Sequence, residues 1–321
     1  MSIDSAQNYQ TQTAVLFIIF NRPDTTAKVF EQIKKARPKK LYIAADGPRA
    51  DRPNEELICN QTRETATAVD WDCRVETLFN TQNKGCKMAV SSAITWFFNK
   101  EEEGIIIEDD CLPADDFFRF CDELLEKYRY DTRIRHIAGG NFQQGLKRGE
   151  ASYYFSKISH VWGWASWRRA WADYDVTLNK YNEEDGKAAL CNVFDDKWIA
   201  ESWCQIFTEM KKGGVDTWDY QWGFTNYFNN ALCIIPNVNL ISNIGFGENA
   251  THTTQTDNIY ANVPHGRLNE ITHPQFFVAD KTADEFSLSV DFNIAEKKRQ
   301  YNKPRRKLKR WLKSVIGKNS L

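Results

Sequence analysis

Gly104-Ile105-Ile106-Ile107-Glu108-Asp109-Asp110-Cys111-Leu112-Pro113 is the stretch on which the reading of this chain turns. An apolar run ends abruptly in three consecutive acids and then reaches a proline that can open a helix. Three isoleucines in a row read as a strand buried on both faces, the pattern of parallel sheets covered by helices. In an open α/β sheet, ligands bind in the crevice beyond the carboxyl ends of such strands. The run therefore delivers three carboxylates to an edge where function is expected.

Acids placed there are costly unless something cationic answers them. Two readings stand. In one, Asp109 or Asp110 caps the helix that begins near Pro113. In the other, the acids hold Mg²⁺ or Mn²⁺, hard cations that take oxygen ligands and are usually bound by one or two carboxylates together with phosphate oxygens.

The surrounding pattern supplies the fold. Val15 to Phe20, Leu41 to Ala45, Arg74 to Phe79, Ile105 to Glu108 and Arg135 to Ala138 read as strands. Asp24 to Ala36, Asn54 to Val69, Cys86 to Phe98 and Pro113 to Tyr130 read as helices between them. This β-α-β-α rhythm predicts an α/β fold, Rossmann-like, with a mostly parallel, doubly wound central sheet flanked by helices. The chain divides into a flexible N-terminus at 1–13, a ligand-binding half at 14–140, a second half of the same compact domain at 141–295, and a tail at 296–321. In the second half, helices are expected near Lys197 to Lys211 and Tyr220 to Asn230, with a strand around Leu232 to Ile235.

Composition narrows the class. Eleven tryptophans among 321 residues is a high count, and many lie between Trp162 and Trp222. Aromatic faces suit sugar rings, although tryptophans are more often core. The eight cysteines are scattered without a CxxC pair, which fits a reduced cytoplasmic setting. Neither a secretory leader nor a spanning segment is legible. The net charge of −1 conceals an asymmetry, because residues 297 to 318 hold eleven Lys and Arg and no acid. Leu308, Trp311, Leu312, Val315 and Ile316 recur there at helical spacing. An apolar stripe beside a cationic face predicts a helix lying on an anionic membrane surface rather than a disordered basic tail or a nucleic-acid arm.

Loops follow each early strand, and their polar residues are expected to converge on one crevice. Asn21-Arg22-Pro23-Asp24 follows the first, Asp46-Gly47-Pro48-Arg49 the second, Asn80 to Gly85 the third, and Glu108-Asp109-Asp110 the fourth. A base-and-ribose pocket needs an acid to accept from a uracil-type N–H, a cation near phosphate, and backbone that approaches closely at glycine. Asp46, Arg22 or Lys84, and Gly85 supply these types. No GxxxxGK[ST] loop and no GxGxxG fingerprint occurs, which argues against P-loop and dinucleotide enzymes.

These residues resemble glycosyltransferases of the GT-A fold, nearest to the N-acetylglucosaminyltransferase I type, in which a Glu-Asp-Asp triplet ends a strand before an acidic, Phe-rich helix. The likeness runs over residues 14 to 255: Ile107 to Phe118, Phe17 to Asp24, Ala45-Asp46-Gly47, Asn83-Lys84-Gly85, Trp162-Gly163-Trp164 and Trp218-Asp219. It implies a metal-dependent, inverting transfer of a sugar from a nucleotide-diphosphate donor, with UDP as the expected nucleotide, to a saccharide or lipid-linked glycan. It implies that Asp110 holds Mn²⁺ or Mg²⁺, that Glu108 and Asp109 approach sugar and ribose, and that Arg22, Asp46, Asn83, Lys84 and Gly85 serve the donor. Asp219 would be the base on the acceptor hydroxyl. The family pattern has a second Asp after it, whereas this chain has Tyr220 and Gln221, so the rival role of Asp219 as a helix cap stays open. By the same likeness His252 would reach the metal or diphosphate. Trp162, Trp164 and Trp218 would stack on sugar, with core packing as their alternative.

The expected protein is thus a cytoplasmic glycosyltransferase peripheral to the inner face of a membrane. A non-catalytic glycan-binding protein and a sugar nucleotidyltransferase are its rivals. The second rival usually carries a Gly-rich, basic loop after the first strand, and Asn21-Arg22-Pro23-Asp24 is not one.

Overall fold

A computed structural model describes residues 9–246 and 259–304. The first half alternates as expected: β1 (Val15–Ile19), α1 (Pro23–Ala36), β2 (Lys40–Ala45), α2 (Glu55–Thr67), β3 (Arg74–Phe79), α3 (Gly85–Phe98) and β4 (Glu103–Glu108). Then come β5 (Cys111–Pro113), α4 (Phe117–Tyr128), β6 (Ile134–Ala138), β7 (Tyr153–Ser156), β8 (Trp164–Trp167) and the short α5 (Arg168–Trp171). The chain continues through α6 (Glu183–Val193), α7 (Lys197–Lys211), α8 (Asp219–Phe228), β9 (Leu232–Pro236), β10 (Ile241–Asn243), α9 (Lys281–Asp291) and α10 (Ile294–Asn302).

Eight strands form one sheet in the order β3-β2-β1-β4-β8-β6-β9-β7. The pairs among β1 to β4 are parallel, as is β6 with β9, while β8 and β7 run against their neighbours. This is the expected α/β architecture, a large and mostly parallel central sheet flanked by helices. Because the loops after β1, β2, β3 and β4 all emerge at one edge, and β8 runs the other way, the residues just before β8 reach that edge too.

Alternation along the strands explains the two layers of helices. Phe17, Ile19, Ile105 and Ile107 join one buried cluster with Val29, Phe30 and Ile33 of α1 and Phe117, Phe120 and Leu124 of α4. Leu16, Ile18 and Ile106 join another with Val90, Ile94 and Phe97 of α3 and with Trp164, Trp171, Trp218 and Trp222. All three isoleucines of β4 are fully buried, as a strand covered on both faces requires. Each contributes about 1.5–3 kcal/mol of burial. A third cluster, with Leu190, Ile199, Trp203, Phe207, Phe224 and Tyr227, holds α6, α7 and α8 together, and Leu288 of α9 and Ile294 of α10 close it.

One expectation is overturned. Pro113 does not open a helix: Cys111–Pro113 pairs antiparallel with Ile241–Asn243, and the helix starts at Phe117 after Asp116. Cross-strand partners distant in sequence override the local helix signal of the proline. The strands Tyr153–Ser156 and Trp164–Trp167 were not foreseen either, since short, fully buried aromatic strands carry no alternation to read.

His136 of β6 lies fully buried beneath the edge. The indole N–H of Trp222 donates to its Nδ1 at 3.1 Å, so its Nε2–H donates to the His160 carbonyl at 2.8 Å. Burial lowers its pKa to about 4. Below the ordinary imidazole value the unfolded chain takes up a proton that the folded chain refuses. Stability is therefore expected to fall as pH drops from about 6.5 to about 4, by up to about 3 kcal/mol from this group. Denaturant titrations across that window check this, and His136→Gln should flatten the slope.

Candidate active site

The crevice is built outward from β4. Glu108 follows Ile106 in strand parity and faces the α3 side, where the carboxylates of Asp110, Asp109 and Asp219 add to burial in driving its carboxyl well above the usual range. Water reaches Glu108, yet protein encloses it, as expected of a group lining a recess. Asp109 is buried, at 6 % exposure. One of its oxygens accepts from the Phe20 N–H at 3.1 Å, and the other lies 3.3 Å from Arg22 Nη1. Burial pushes its carboxyl up to about 7 against the opposing pull of Arg22. Asp110 sits 2.8 Å from the same Arg22 nitrogen. Neither aspartate caps α4, whose N-cap is Asp116. The capping reading is thereby set aside, and the three acids form a carboxylate cluster in which one guanidinium bridges Asp109 and Asp110.

Arg22 can reach them because only Phe20, Asn21 and Arg22 separate β1 from α1, with Pro23 starting the helix at once. Glu55 steadies this loop from below: it accepts from the Asn21 amide at 3.0 Å and from the Arg49 backbone N–H at 2.6 Å. That residue escaped the sequence reading because it looks like an ordinary first-turn helix acid.

Gly245 was missed as well. Just beyond β10, Ile244 N–H donates to the Asp110 carbonyl at 2.8 Å. A Cβ on Gly245 would stand 2.4 Å from an Asp110 carboxylate oxygen, so only glycine lets the backbone pass. A glycine directly after an Ile-Ser-Asn-Ile run was the available signal.

Asp46, Asn83, Lys84 and Gly85 come together, but as a clamp on their own loops. Asp46 Oδ1 accepts from Gly47 N–H at 2.9 Å, the Asn80 amide at 3.1 Å and Lys84 N–H at 3.1 Å. The Asn83 amide donates to the Gly47 carbonyl at 3.0 Å, and its Oδ1 accepts from Gly85 N–H at 3.2 Å. Gly85 has φ +77°, a left-handed turn that opens α3, and the Lys84 side chain is exposed. The Asp46 carboxylate expected to face a base is thus largely engaged by the protein itself.

Across the crevice, Asp219 is the first residue of α8, and the Thr217 hydroxyl donates to it. Its placement depends on Asp216, which the sequence reading passed over. That side chain accepts from Cys86 N–H at 2.9 Å and Lys87 N–H at 3.0 Å, fastening the 212–218 loop to the first turn of α3. Burial first, and then the carboxylates of Glu108, Asp216, Asp219 and Asp46, push the Cys86 thiol up to about 12.

Two expected sugar-stacking residues are corrected. Trp164 is fully buried between His136, at 5.1 Å, and Trp218, at 5.8 Å, and Trp218 is only 3 % exposed. Their faces are spent on one another, so they form the floor of the site. Trp162 is partly exposed at the rim, 5.0 Å from Phe142 and 5.8 Å from Phe246. His252 lies outside the described residues.

The oxygen donors of Glu108, Asp109 and Asp110 are of the type a hard divalent cation takes. Among the described residues no group of three or more His, Cys, Asp or Glu side chains is arranged to hold a metal by itself. Such an ion would complete its shell with ligand oxygens and water, as Mg²⁺ commonly does.

No protein-family model matches the chain, and no curated protein does. Solved structures do. A 4-diphosphocytidyl-2C-methyl-D-erythritol synthase from Anaerococcus prevotii is 9% identical, covering 67% of this chain and 98% of its own, with a TM-score of 0.34. An apo UDP-glucose pyrophosphorylase is 8% identical over 70% of this chain and 90% of its own, TM-score 0.34. Apo mouse xyloside xylosyltransferase 1 is 13% identical over 67% of this chain and 81% of its own, TM-score 0.34. Likenesses of this degree carry no functional argument, and the chemistry rests on the chain's own residues.

Asp216→Ala is expected to cost about 1 kcal/mol, the usual worth of a helix N-terminal cap. Hydrogen exchange at Cys86, Lys87 and the 212–218 loop should quicken together. Unchanged protection of that loop would show that Asp216 does not hold it.

Proposed function

We propose that this chain is a metal-dependent, inverting glycosyltransferase that moves a sugar from a nucleotide-diphosphate donor, with UDP the expected nucleotide, to a saccharide or lipid-linked glycan. The observation that carries this is the Glu108-Asp109-Asp110 cluster at the carboxyl edge of β4, bridged by Arg22 and faced by Asp219. The three-residue loop after β1 has no room for the glycine-rich basic loop of a nucleotidyltransferase, which favours sugar transfer.

Asp110, with Glu108 and Asp109 beside it, would hold Mn²⁺ or Mg²⁺. When bound, that ion supplies positive charge to the diphosphate leaving group. Arg22 adds a guanidinium at the same edge, suited to phosphate oxygens. Asp219 accepts the proton of the acceptor hydroxyl as its oxygen bonds to the anomeric carbon and the sugar–phosphate bond breaks, releasing the nucleoside diphosphate. Attack from the face opposite the leaving group inverts the anomeric centre. The buried aromatic floor and helix-covered sheet keep these groups fixed and partly dry.

All eight cysteines are unpaired, in keeping with a reducing compartment. No helix among the described residues is long and apolar enough to cross a membrane. In this reading the basic tail at 296–321, of which residues 305–321 lie outside the described residues, brings the enzyme to an anionic membrane surface at its cytoplasmic face.

A nucleotide-sugar panel with the purified full chain tests the chemistry. One donor should bind and turn over with Mn²⁺, and EDTA or Asp110→Asn should abolish this. Asp219→Asn should lower kcat by about 10²–10⁴-fold while donor binding persists. Donor binding indifferent to both EDTA and Asp110→Asn would sink the proposal. Separately, removal of residues 305–321 should abolish co-sedimentation with phosphatidylglycerol vesicles, and salt should weaken that binding in the intact chain.

A further inference from the structure

β7 is the outermost strand on its side of the sheet, and residues 272–280 run along its open edge. The Thr272 carbonyl accepts from Ser152 N–H at 3.0 Å, and Asp280 N–H donates to the Phe155 carbonyl at 2.7 Å. Ser152 and Phe155 stand about 10 Å apart along the strand, so the longer stretch tied to them has to bulge outward. Phe277 turns inward from that bulge. Its ring stacks on Phe155 at 5.1 Å, meets Tyr128 edge-on at 6.0 Å and lies under the Arg133 guanidinium at 4.1 Å. With that ring held, its neighbours are left facing water: Phe276 is 70 % exposed and Val278 72 %. Tyr128 and Arg133 also flank the turn that carries Tyr130, which is 89 % exposed. Single exposed apolar residues are ordinary, but these three are gathered around one ring on backbone that is tied down.

Where the chain goes next indicates what covers them. Lys281 opens α9 three residues after Val278, and α10 runs back beside it. Lys281 pairs with Asp195 at 2.7 Å and Lys298 with Asp196 at 2.5 Å, so the start of α9 and the later half of α10 meet at one point before α7. The basic tail leaves α10 from that end. Its residues 305–321, outside the described residues, carry Leu308, Trp311, Leu312, Val315 and Ile316 among the cations. Loop and tail root thus share one end of the molecule. Size argues against a protein partner, because the three side chains expose on the order of 400 Å², whereas a stable interface buries about 800 Å² on each side. A lipid interface sets no such threshold and takes aromatic and aliphatic side chains singly.

We propose that Phe276, Val278 and Tyr130 form a membrane contact that enters the headgroup–acyl boundary of the bilayer to which the tail binds. Its partner rests on the membrane reading of the tail, and not on the sugar-transfer chemistry. A tail alone leaves the folded body free to turn about its tether, whereas a second contact on the body fixes which face meets lipid. Charge beside the loop is mixed, with Arg133 on Asp131 at 2.7 Å and Lys281 on Asp195. The loop therefore contributes apolar burial that salt does not screen, and the tail contributes attraction that salt does screen.

Co-sedimentation of the full chain with vesicles of equal parts phosphatidylglycerol and phosphatidylcholine tests this. The double variant Phe276→Ser/Val278→Ser should weaken partitioning about tenfold, by a similar factor at low and high salt. Phe276→Trp, which keeps a ring at the same place, should retain it. Both positions are exposed, so the variants should keep the native thermal midpoint, and a loss of partitioning is not unfolding. Partitioning of the double variant equal to that of the unaltered chain would overturn the contact. So would a concentration-dependent dimer of the unaltered chain that the double variant abolishes, since a second copy would then be the occupant. Binding that needs residues 305–321 but ignores the double variant sinks the contact alone. Binding that survives their removal yet drops in the double variant keeps the contact and removes the tail's part.

Discussion

The structure is organised around the cost of ending a fully buried strand in three carboxylates. Taking one ionised carboxylate out of water costs several kcal/mol even after relaxation. Here Glu108, Asp109 and Asp110 follow three fully buried isoleucines, and their mutual repulsion adds to that cost. Arg22 is the described cation that offsets it, and a pair of opposite charges at this separation gains about 4 kcal/mol at an effective dielectric near 20. The compensation is partial, since Asp109 still sits near 7 and Glu108 well above its ordinary value. A cluster left under-neutralised in this way has affinity for further positive charge. The proposal that this edge binds a cationic group rests on that imbalance.

Several features elsewhere follow from keeping Arg22 and the acids in register. The loop after β1 must be short, and Pro23 makes it so by fixing the start of α1. Glu55 ties that loop to the one after β2, and Asp46 ties the β2 loop to the start of α3. Asp216 then ties α3 to the segment that leads into Asp219. A chain of carboxylate-to-N–H contacts thus runs around the crevice, and apart from the Asn21 side-chain amide its donors are backbone groups. Backbone donors are placed by the fold itself, so such contacts position loops more rigidly than flexible side-chain pairs do.

The sequence made the first half legible because its elements carry local signals. Apolar runs of strand length alternate with amphipathic stretches, and β1 to β4 fall within two residues of where the periodicity puts them. The convergence of Arg22, Asp46, Asn83, Lys84, Gly85 and the acid triplet follows from topology alone, once the strands are parallel. What stayed hidden depends on partners far away in sequence. Pro113 reads as a helix opener until Ile241 is seen pairing with it, and Asp216 reads as a loop acid until α3 is seen to need it. Trp164 is ambiguous for a different reason: a tryptophan at a strand start at the functional edge has the same composition whether it faces ligand or core.

The aromatic floor decides that ambiguity and explains how labour is divided among the tryptophans. Trp164 pairs directly with Ile106 across the β4–β8 ladder, so it lies beside the strand that carries the acids. Stacked on His136 and Trp218, it packs with Trp171 and Trp222 into a rigid block. The Trp222 N–H to His136 bond fixes the imidazole tautomer within this block. Rings that build such a floor cannot also offer a face to ligand, and the ring surface that remains is displaced to the rim, at Trp162, Phe246 and Tyr260. The carboxylates therefore sit on a support that does not adapt, while the surface opposite them is lined by partly exposed rings.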